Sequence, residues 1–268
     1  MRDLAEKGTL GNFNQKDYPE NPIEYLLDRG IQSVFRFIVT HPDMDHIDGI
    51  EAFFAVFEPI NFWDTNNNVE KSQRSSFGAY NKRDWDFYKD LRDSRPTSNP
   101  KRLTYYSGSI GQYYNQGQRE GDNGDGLLVL APTPQLVTDA CESEDCNDLS
   151  YVLLYRPEKY KLLFAGDSHD ATWKYVLNTY DEVVQDVDVL IAPHHGRDSN
   201  RSFEFLNTLR PRLTLFGNAP SDNLAYGQWS RRNLPIVTNN QAGTVIFDIT
   251  PTHLHVYVTH EPYALRSA

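Results

Sequence analysis

The segment HPDMDHIDG concentrates four side chains that can bind a metal ion: His41, Asp43, Asp45 and His46, within six residues. Two imidazoles and two carboxylates on one short loop cannot all face a core, because burying polar groups without partners is costly. A divalent metal ion removes that cost. Mixed nitrogen and oxygen ligands favour zinc, manganese or iron over calcium, which prefers oxygen ligands alone. The loop therefore predicts metal binding.

Two later segments offer the same types of ligand just after apolar runs. LLFAGDSHD places Asp167 after one such run, and VDVLIAPHHGRDSN places His194 and His195 after the next. Side chains at strand ends are held rigidly enough to coordinate a metal. We therefore expect Asp167 and at least one of the two adjacent histidines to meet the first loop at one centre. The residue pattern leaves open which of the two is the ligand.

Predicted secondary structure frames the first loop. Asn21 can cap a helix over 22–29, and Gly30 can end it in the left-handed conformation. The apolar and β-branched run 33–40 then predicts a buried strand that ends at His41. The candidate metal ligands therefore begin where a strand stops.

Downstream, apolar residues between 47 and 57 recur at helical spacing. Strands are predicted at 60–63, 127–131, 151–155, 161–165, 187–192, 213–216, 244–249 and 253–258, and helices at 171–178 and 202–209. Hairpins and strand–helix units both occur, which predicts an α/β (α+β) fold with mixed sheets covered by helices. We interpret 64–120 as an insertion, packed over the edge of the core, within a single domain over 1–268.

Length, charge and composition exclude several classes of protein. The 268 residues are enough for a sizeable core, and a net charge of −11 does not favour general binding to nucleic acid or anionic membranes. No apolar run approaches the roughly 20 residues of a membrane helix, and the first residues lack the apolar stretch of a signal peptide. We therefore expect a cytoplasmic protein with no membrane partner. Cys141 and Cys146 are too few for a disulfide framework or a four-thiolate zinc site.

Four motifs in this order resemble the metallo-β-lactamase superfamily: HPDMDHIDGI, NDLSYVLLY, LLFAGDS and IAPHHGRDSN. Within it, the chain resembles the branch typified by the soluble domain of bacterial competence DNA-uptake channel proteins, over roughly 22–226. The resemblance implies a four-layer αββα sandwich with mixed sheets, and metals at one edge where two sheets meet. It also implies an enzyme that hydrolyses its substrate with a metal-activated water.

The resemblance further implies a role for each matching residue. His41 and Asp43 would bind a first ion, Asp45 and His46 would bind a second, and Asp167 would bridge them. His194 or His195 would supply the remaining imidazole, while the other would orient it or act on the substrate. The residues expected in catalysis are Asp45, His194 and His195.

The predicted cofactor is a pair of divalent ions. Zinc is the first expectation, and manganese is the alternative because Asp43 stands where many members have a histidine, a change toward a harder ligand. Asn147 and Ser150 match an asparagine and a serine near the site of the branch.

Three features depart from the resemblance. No histidine occurs from residue 47 to 168, where the superfamily has a distal histidine ligand. Gln228 and Trp229 stand where the branch has a histidine and a proline, and His253 and His255 are expected to be structural or solvent-facing. Only a polar stretch precedes Asn21, where members have a strand hairpin; its absence would expose a sheet edge and favour a homodimer.

The predicted substrate class depends on residues 71–102, where nine Lys and Arg face four Asp in an otherwise acidic chain. The aromatic residues interleaved with them are Phe77, Tyr80, Trp85, Phe87 and Tyr88. Such a mixture could bind single-stranded nucleic acid by stacking and phosphate contacts, or could be a solvated helix packed on the core.

Three functions follow from these observations. The first is a phosphodiesterase or nuclease with a nucleic acid or nucleotide as substrate. The second is a hydrolase of a lactone, thioester or lactam, and the third is a non-catalytic regulatory protein with a degenerate metal site.

Overall fold

The first part of the chain builds a small parallel sheet flanked by helices. The computed structural model describes residues 20–71, 77–94, 99–111, 125–143, 145–217, 219–260 and 263. The elements of this part are α1 (Pro22–Asp28), β1 (Arg36–Ile38), α2 (Met44–Ile47), α3 (Ile50–Phe57), β2 (Asn61–Trp63), α4 (Lys82–Arg92) and β3 (Lys101–Leu103). The strands pair in parallel in the order β1-β2-β3. Asn21 and Asn81 cap α1 and α4, because each side-chain oxygen accepts the N–H two residues on at 3.0 Å.

The second part builds a larger mixed sheet. Its elements are β4 (Leu127–Ala131), α5 (Pro134–Ser143), β5 (Val152–Tyr155), β6 (Leu162–Phe164), α6 (Asp170–Val184), β7 (Val189–Ile191), α7 (Phe205–Leu209), β8 (Leu213–Phe216), α8 (Tyr226–Ser230), β9 (Ile236–Thr238), α9 (Asn239–Ala242), β10 (Val245–Ile249) and β11 (Leu254–Val258). Strands β4 to β9 lie side by side in that order; β4, β5 and β6 are antiparallel neighbours, whereas β6 to β9 run parallel. Strands β10 and β11 form a separate antiparallel hairpin.

Helices pack on both sheets. Trp85 and Tyr88 of α4 share an apolar cluster with Phe62 of β2, and Trp173 of α6 shares another with Leu163 of β6. Full burial of one large apolar side chain stabilises a fold by roughly 1.5–3 kcal/mol. These helix–sheet contacts therefore account for much of the stability of the fold.

A third cluster joins the two sheets to each other. It includes Trp63 of β2, Val129 of β4 and Leu153 of β5. Beside it, the N–H of Tyr151 donates to the carbonyl of Thr40 at 2.9 Å, which ties the end of β1 to the start of β5. The predicted class, mixed α/β with mixed sheets and covering helices, is confirmed.

The predicted elements are present, but several of their bounds differ. The strands predicted at 127–131 and 213–216 coincide with β4 and β8, whereas only Arg36–Ile38 of the run 33–40 is a strand. The backbone of Val34 bonds instead to residues outside any strand, accepting from Ile60 and donating to Phe57.

Helix boundaries differ for similarly local reasons. Gly49 has a φ of 80°, which divides the helical pattern of 47–57 into α2 and α3. The helix predicted at 171–178 continues to Val184, and the one predicted at 202–209 begins only at Phe205. Helix α5 and strand β9 have no predicted counterpart.

Part of the segment 64–120 belongs to the first sheet. Strand β3 pairs with β2, and α4 buries Trp85, Tyr88 and Leu91. Three apolar residues at helical spacing give α4 this core-facing side, and the interpretation of 64–120 as an insertion stays a prediction. Residues 1–19, where a hairpin was expected to be missing, lie outside the described residues. None of the described helices is long and apolar enough to cross a membrane.

Gly196, after β7, should not tolerate a side chain. Its φ is 85°, and an added Cβ would lie 2.6 Å from the buried ring of Phe216. Because overpacking costs about 1–3 kcal/mol and left-handed backbone about 1–2 kcal/mol, we expect Gly196→Ala to lower the free energy of unfolding by about 2–5 kcal/mol.

Gly227 of α8 is the matched control, because nothing lies within 4 Å of its added Cβ. We expect Gly227→Ala to leave the fold at least as stable as the wild type. Urea unfolding followed by circular dichroism measures both variants. Equal stability of Gly196→Ala and the wild type would contradict the prediction.

Candidate metal centre

The first loop of the candidate centre leaves the small sheet at β1. Thr40 is held by Tyr151, and its Oγ1 lies 3.2 Å from Nδ1 of His41 and 3.5 Å from Nδ1 of His46. One hydroxyl therefore contacts both imidazoles on the same ring nitrogen, leaving the two Nε2 atoms to face the centre. The short helix α2 then carries Asp45 and His46.

The remaining candidate residues follow neighbouring parallel strands of the large sheet. Asp167 comes after β6, and its N–H donates to Oγ of Ser150 at 3.2 Å. His194 and His195 come after β7, with the N–H of His194 donating to the carbonyl of Gly166 at 3.0 Å. Because β6 and β7 are parallel neighbours, their carboxyl ends lie at one edge of the sheet.

Both histidines after β7 have left-handed backbone. Their φ values are 50° for His194 and 59° for His195, and side-chain-bearing residues adopt this region at a cost of roughly 1–3 kcal/mol. Below His195 lies Gly217, where an added Cβ would come within 2.9 Å of the ring nitrogen Nδ1. The backbone is therefore strained where the two rings turn toward Asp167. Gly217, which has no side chain, leaves space for the ring of His195 there.

The carboxylate of Asp167 is the point at which the four imidazoles meet. Its Oδ1 lies 3.2 Å from Nε2 of His46. Its Oδ2 lies 3.7 Å from Nε2 of His41, 3.7 Å from Nε2 of His194 and 3.8 Å from Nε2 of His195. The Nε2 atom of His41 is buried and has no hydrogen-bond partner. A buried imidazole nitrogen that faces a carboxylate and has no hydrogen-bond partner fits a metal ligand, because it is otherwise left unsatisfied.

Two groups of three residues have the spacing of a metal site, with ligand atoms within 4.8 Å of one another: His41, His46 and Asp167, and Asp45, His46 and His195. In the second group, Nε2 of His195 lies 3.2 Å from Oδ2 of Asp45 and 3.2 Å from Nε2 of His46. His195 thus belongs to such a group. His194 belongs to neither, and its Nδ1 contacts Oγ of Ser199 at 3.1 Å.

Asp43 lies beside the two groups. Its Oδ2 is 3.7 Å from Nε2 of His41, and its Oδ1 accepts a hydrogen bond from Nζ of Lys71 at 3.0 Å. The structure therefore brings together all seven predicted site residues, but Asp43 is also paired with an ammonium group. No residue pattern marks Lys71 for this contact.

Burial and charge set the protonation states of the imidazoles. Burial lowers the pKa of His41 to about 4, and burial also lowers the pKa of His194 to about 4. Both rings are therefore neutral at pH 7, with lone pairs free to bind a metal. For His46, burial opposes the charged form, but the hydrogen bond to Asp167 and the nearby carboxylates outweigh it and raise its pKa.

The carboxylates are ionised. The hydrogen bond from His195 lowers the pKa of Asp45 to about 2. Burial acts to raise the pKa of Asp167, but the hydrogen bond from His46 and the surrounding imidazoles hold it well below its usual range. The centre therefore offers a divalent cation two negative charges and at least two neutral imidazoles.

Ser150 and Asn147, both expected near the site, have different partners. Ser150 holds the backbone of Asp167, whereas Asn147 bonds to Asp145, its Nδ2 donating at 2.6 Å to Oδ1. Thr40 and Ser199 orient imidazoles and were not predicted. The signal for both was proximity in sequence, because each lies within six residues of every histidine that it contacts.

Trp229 and the C-terminal histidines make contacts away from the candidate centre. Trp229 is buried, and its Nε1 donates to Oγ1 of Thr214 at 2.9 Å. His253 and His255 are exposed on the β10–β11 hairpin, their rings stacked 5.5 Å apart. Nδ1 of His260 lies 2.7 Å from the carbonyl oxygen of Gln241.

Most of the described basic side chains in the segment 71–102 pair with acidic partners. Carboxylates pair with the following basic side chains: Lys71, Lys82, Arg83, Lys89, Arg92 and Arg102. Phe77, Trp85 and Tyr88 are buried. A stacking role is therefore wrong for these three rings, because they are part of the core. Arg74 and Arg95 lie outside the described residues, and nucleic-acid binding stays a prediction.

Comparison with known proteins adds no assignment. No family model matches this chain, and no curated protein matches it. The resemblance to the metallo-β-lactamase superfamily therefore stays a prediction from the motifs.

The raised pKa of His46 can be tested in the metal-free protein. We expect Asp167→Asn to lower the pKa of His46, because the substitution removes the hydrogen-bonded negative charge that stabilises the imidazolium. The measurement is an NMR titration of the ring nitrogens, with chelator present. Asp86→Asn, which removes a carboxylate paired with Lys82 on the surface, is the control and should leave the titration unchanged.

The same pair predicts how stability and metal affinity depend on pH. Because folding raises the pKa of His46, its stabilisation of the metal-free fold is present below the unfolded pKa and lost as pH rises through the folded pKa. Metal affinity changes in the opposite direction, since an incoming ion must displace this proton. A His46 pKa that does not fall in Asp167→Asn would contradict the assigned contact.

Proposed function

We propose that this chain is a metal-dependent hydrolase of the metallo-β-lactamase type that acts on a phosphodiester with a metal-activated water. The observation that carries the proposal is the buried carboxylate of Asp167, surrounded by the Nε2 atoms of four histidines at 3.2–3.8 Å. Zinc is the first expectation for the metal and manganese the alternative, since both accept mixed imidazole and carboxylate ligands.

The arrangement of the two sheets supports the four-layer αββα architecture. One set of helices packs on β2 and another on β6, while Trp63, Val129 and Leu153 pack between the sheets. The candidate ligands lie at the edge where Thr40 and Tyr151 join the sheets. This is the position that the resemblance implies for the metals.

The ligand groups support a site for two ions only if Asp167 bridges them. Nε2 of His46 is common to both three-residue groups, and one imidazole lone pair binds one ion. We therefore assign His41 and Asp43 to one ion, and Asp45, His46 and His195 to the other. Asp167, which lies beside both sets of residues, would help to hold both ions.

The protein side chains divide the remaining work. A bound divalent ion supplies the Lewis acidity that lowers the pKa of water to about 7. Asp45, ionised and partly exposed beside His195, would be the carboxylate that orients the attacking water. His194 is neutral and lies outside both groups, so its Nε2 can exchange a proton with the reacting groups, while Ser199 contacts its Nδ1.

The test uses protein loaded with zinc or manganese and the phosphodiester bis(p-nitrophenyl) phosphate. We expect turnover by the wild type and a fall in kcat/KM of about 100-fold or more in His195→Gln, because loss of a ligand costs at least as much as loss of an outer-shell partner. His255→Gln, on the exposed hairpin, is the matched control and should keep full activity.

Two outcomes would favour the other functions predicted from the sequence. Turnover confined to a chromogenic lactone, thioester or lactam would assign the site to small carbon substrates. Bound metal without turnover of any of these substrates would favour a non-catalytic regulatory protein.

A further inference from the structure

A cavity of about 750 Å³ opens beside the candidate metal centre. Asp43 is one of its lining residues, so the cavity reaches the side of the centre where His41 lies. Its wall also includes Asn68, Lys71, Asn147, Cys141 and Cys146. A volume of this size fits a small organic molecule, because ligand pockets are commonly about 300–1,000 Å³.

Lys71 places an ammonium group in the wall of this cavity. Its Nζ donates to Oδ1 of Asp43 at 3.0 Å and lies 5.7 Å from the centre of the Trp85 ring. The side chain is 16% exposed, so this charge is largely removed from bulk water. An ammonium has three donors, and among the described residues Asp43 accepts one of them. The remaining donors can serve a ligand.

The other charged groups of the cavity wall are carboxylates that already accept hydrogen bonds. Glu70 accepts from Lys89 at 2.7 Å and from Arg92 at 3.0 Å. Asp145 accepts from the backbone and side-chain nitrogens of Asn147 at 3.0 and 2.6 Å. Among the described lining residues, Lys71 is therefore the cation with donors left for an anionic ligand.

We propose that Lys71 binds the anionic oxygen of a small, monoanionic phosphodiester seated in this cavity, with its scissile bond toward Asp43 and His41. The inference rests on the proposed hydrolase function and narrows its substrate to nucleotide size. Among the described lining residues, the site offers one cation, Lys71, which keeps donors beyond its contact with Asp43, whereas the basic groups of α4 are engaged by Glu51, Glu70 and neighbouring aspartates. A polymer would need a row of free cations along its backbone.

The experiment measures binding of dimethyl phosphate, a monoanionic phosphodiester probe, by NMR titration of the zinc-loaded protein. We expect Lys71→Met to raise the dissociation constant at least ten-fold, because the substitution removes the charge and keeps the length of the side chain. Lys82→Met is the matched control, since Lys82 also pairs with a carboxylate but lies outside the cavity wall. Its dissociation constant should equal that of the wild type.

A second variant separates charge from structure. Lys71→Arg keeps the cation and should bind dimethyl phosphate within a few-fold of the wild type, while zinc content measured beside each titration shows whether the centre is intact. Equal affinity in Lys71→Met and the wild type would overturn the proposal. If a short oligothymidylate binds more tightly than dimethyl phosphate and that binding is lost in Lys82→Met, the proposal of a small substrate is overturned in favour of a polymer.

Binding is measured without turnover, so failure of this inference is distinguishable from failure of the proposed function. A protein that binds the probe through Lys71 but hydrolyses no phosphodiester keeps the binding site and refutes the function. A protein that hydrolyses bis(p-nitrophenyl) phosphate with unchanged KM in Lys71→Met keeps the function and refutes the binding site.

Discussion

A buried carboxylate that faces four imidazoles is the constraint on which the arrangement of this fold depends. Asp167 is 3% exposed, and an ionised group removed from water to that extent needs compensation by partners of opposite charge or by a cation. The protein supplies one raised-pKa imidazole, His46, and leaves His41 neutral with an unsatisfied nitrogen. The ionised carboxylate of Asp167 and the unsatisfied nitrogen of His41 are both suited to a cation. The strands that carry the candidate ligands end at this one edge.

The fold meets that requirement with short, local devices. The hydrogen bond from Tyr151 to Thr40 fixes the first sheet against the second, and Ser150, beside it, holds the backbone of Asp167. The strained residues His194 and His195 lie directly after β7. Gly196 and Gly217 allow that turn, because a side chain at either position would collide with its neighbours. The strained backbone at these candidate ligands thus lowers the stability of the fold, and the apolar clusters around Trp85 and Trp173 offset that cost.

The sequence predicts the centre better than its surroundings, for a physical reason. His41 to His46 are contiguous, and Asp167 and the histidine pair follow apolar runs, so local pattern alone places them at strand ends. The pairing of β3 with β2 and the contact between Lys71 and Asp43 join residues 28 to 40 positions apart, where local pattern carries no information. The position of the aromatic residues that lie between charged ones was equally ambiguous in the sequence. In the structure, Trp85 and Tyr88 face the core and most charged side chains of α4 face outward.

Most basic side chains of the segment 71–102 have a different role from that of its first residue, Lys71. Most basic side chains of 71–102 that the structure describes hold α4 and β3 in place through ion pairs, and exposed pairs of this kind contribute only about 0–1 kcal/mol each. Lys71 differs because its ammonium lies in a cavity wall beside a candidate ligand, where water screens it less. In a chain of net charge −11, a polyanion meets general repulsion, whereas one sheltered cation can still select a small anion. The same acidic chain that disfavours a polymer thus remains compatible with a monoanionic substrate at this centre.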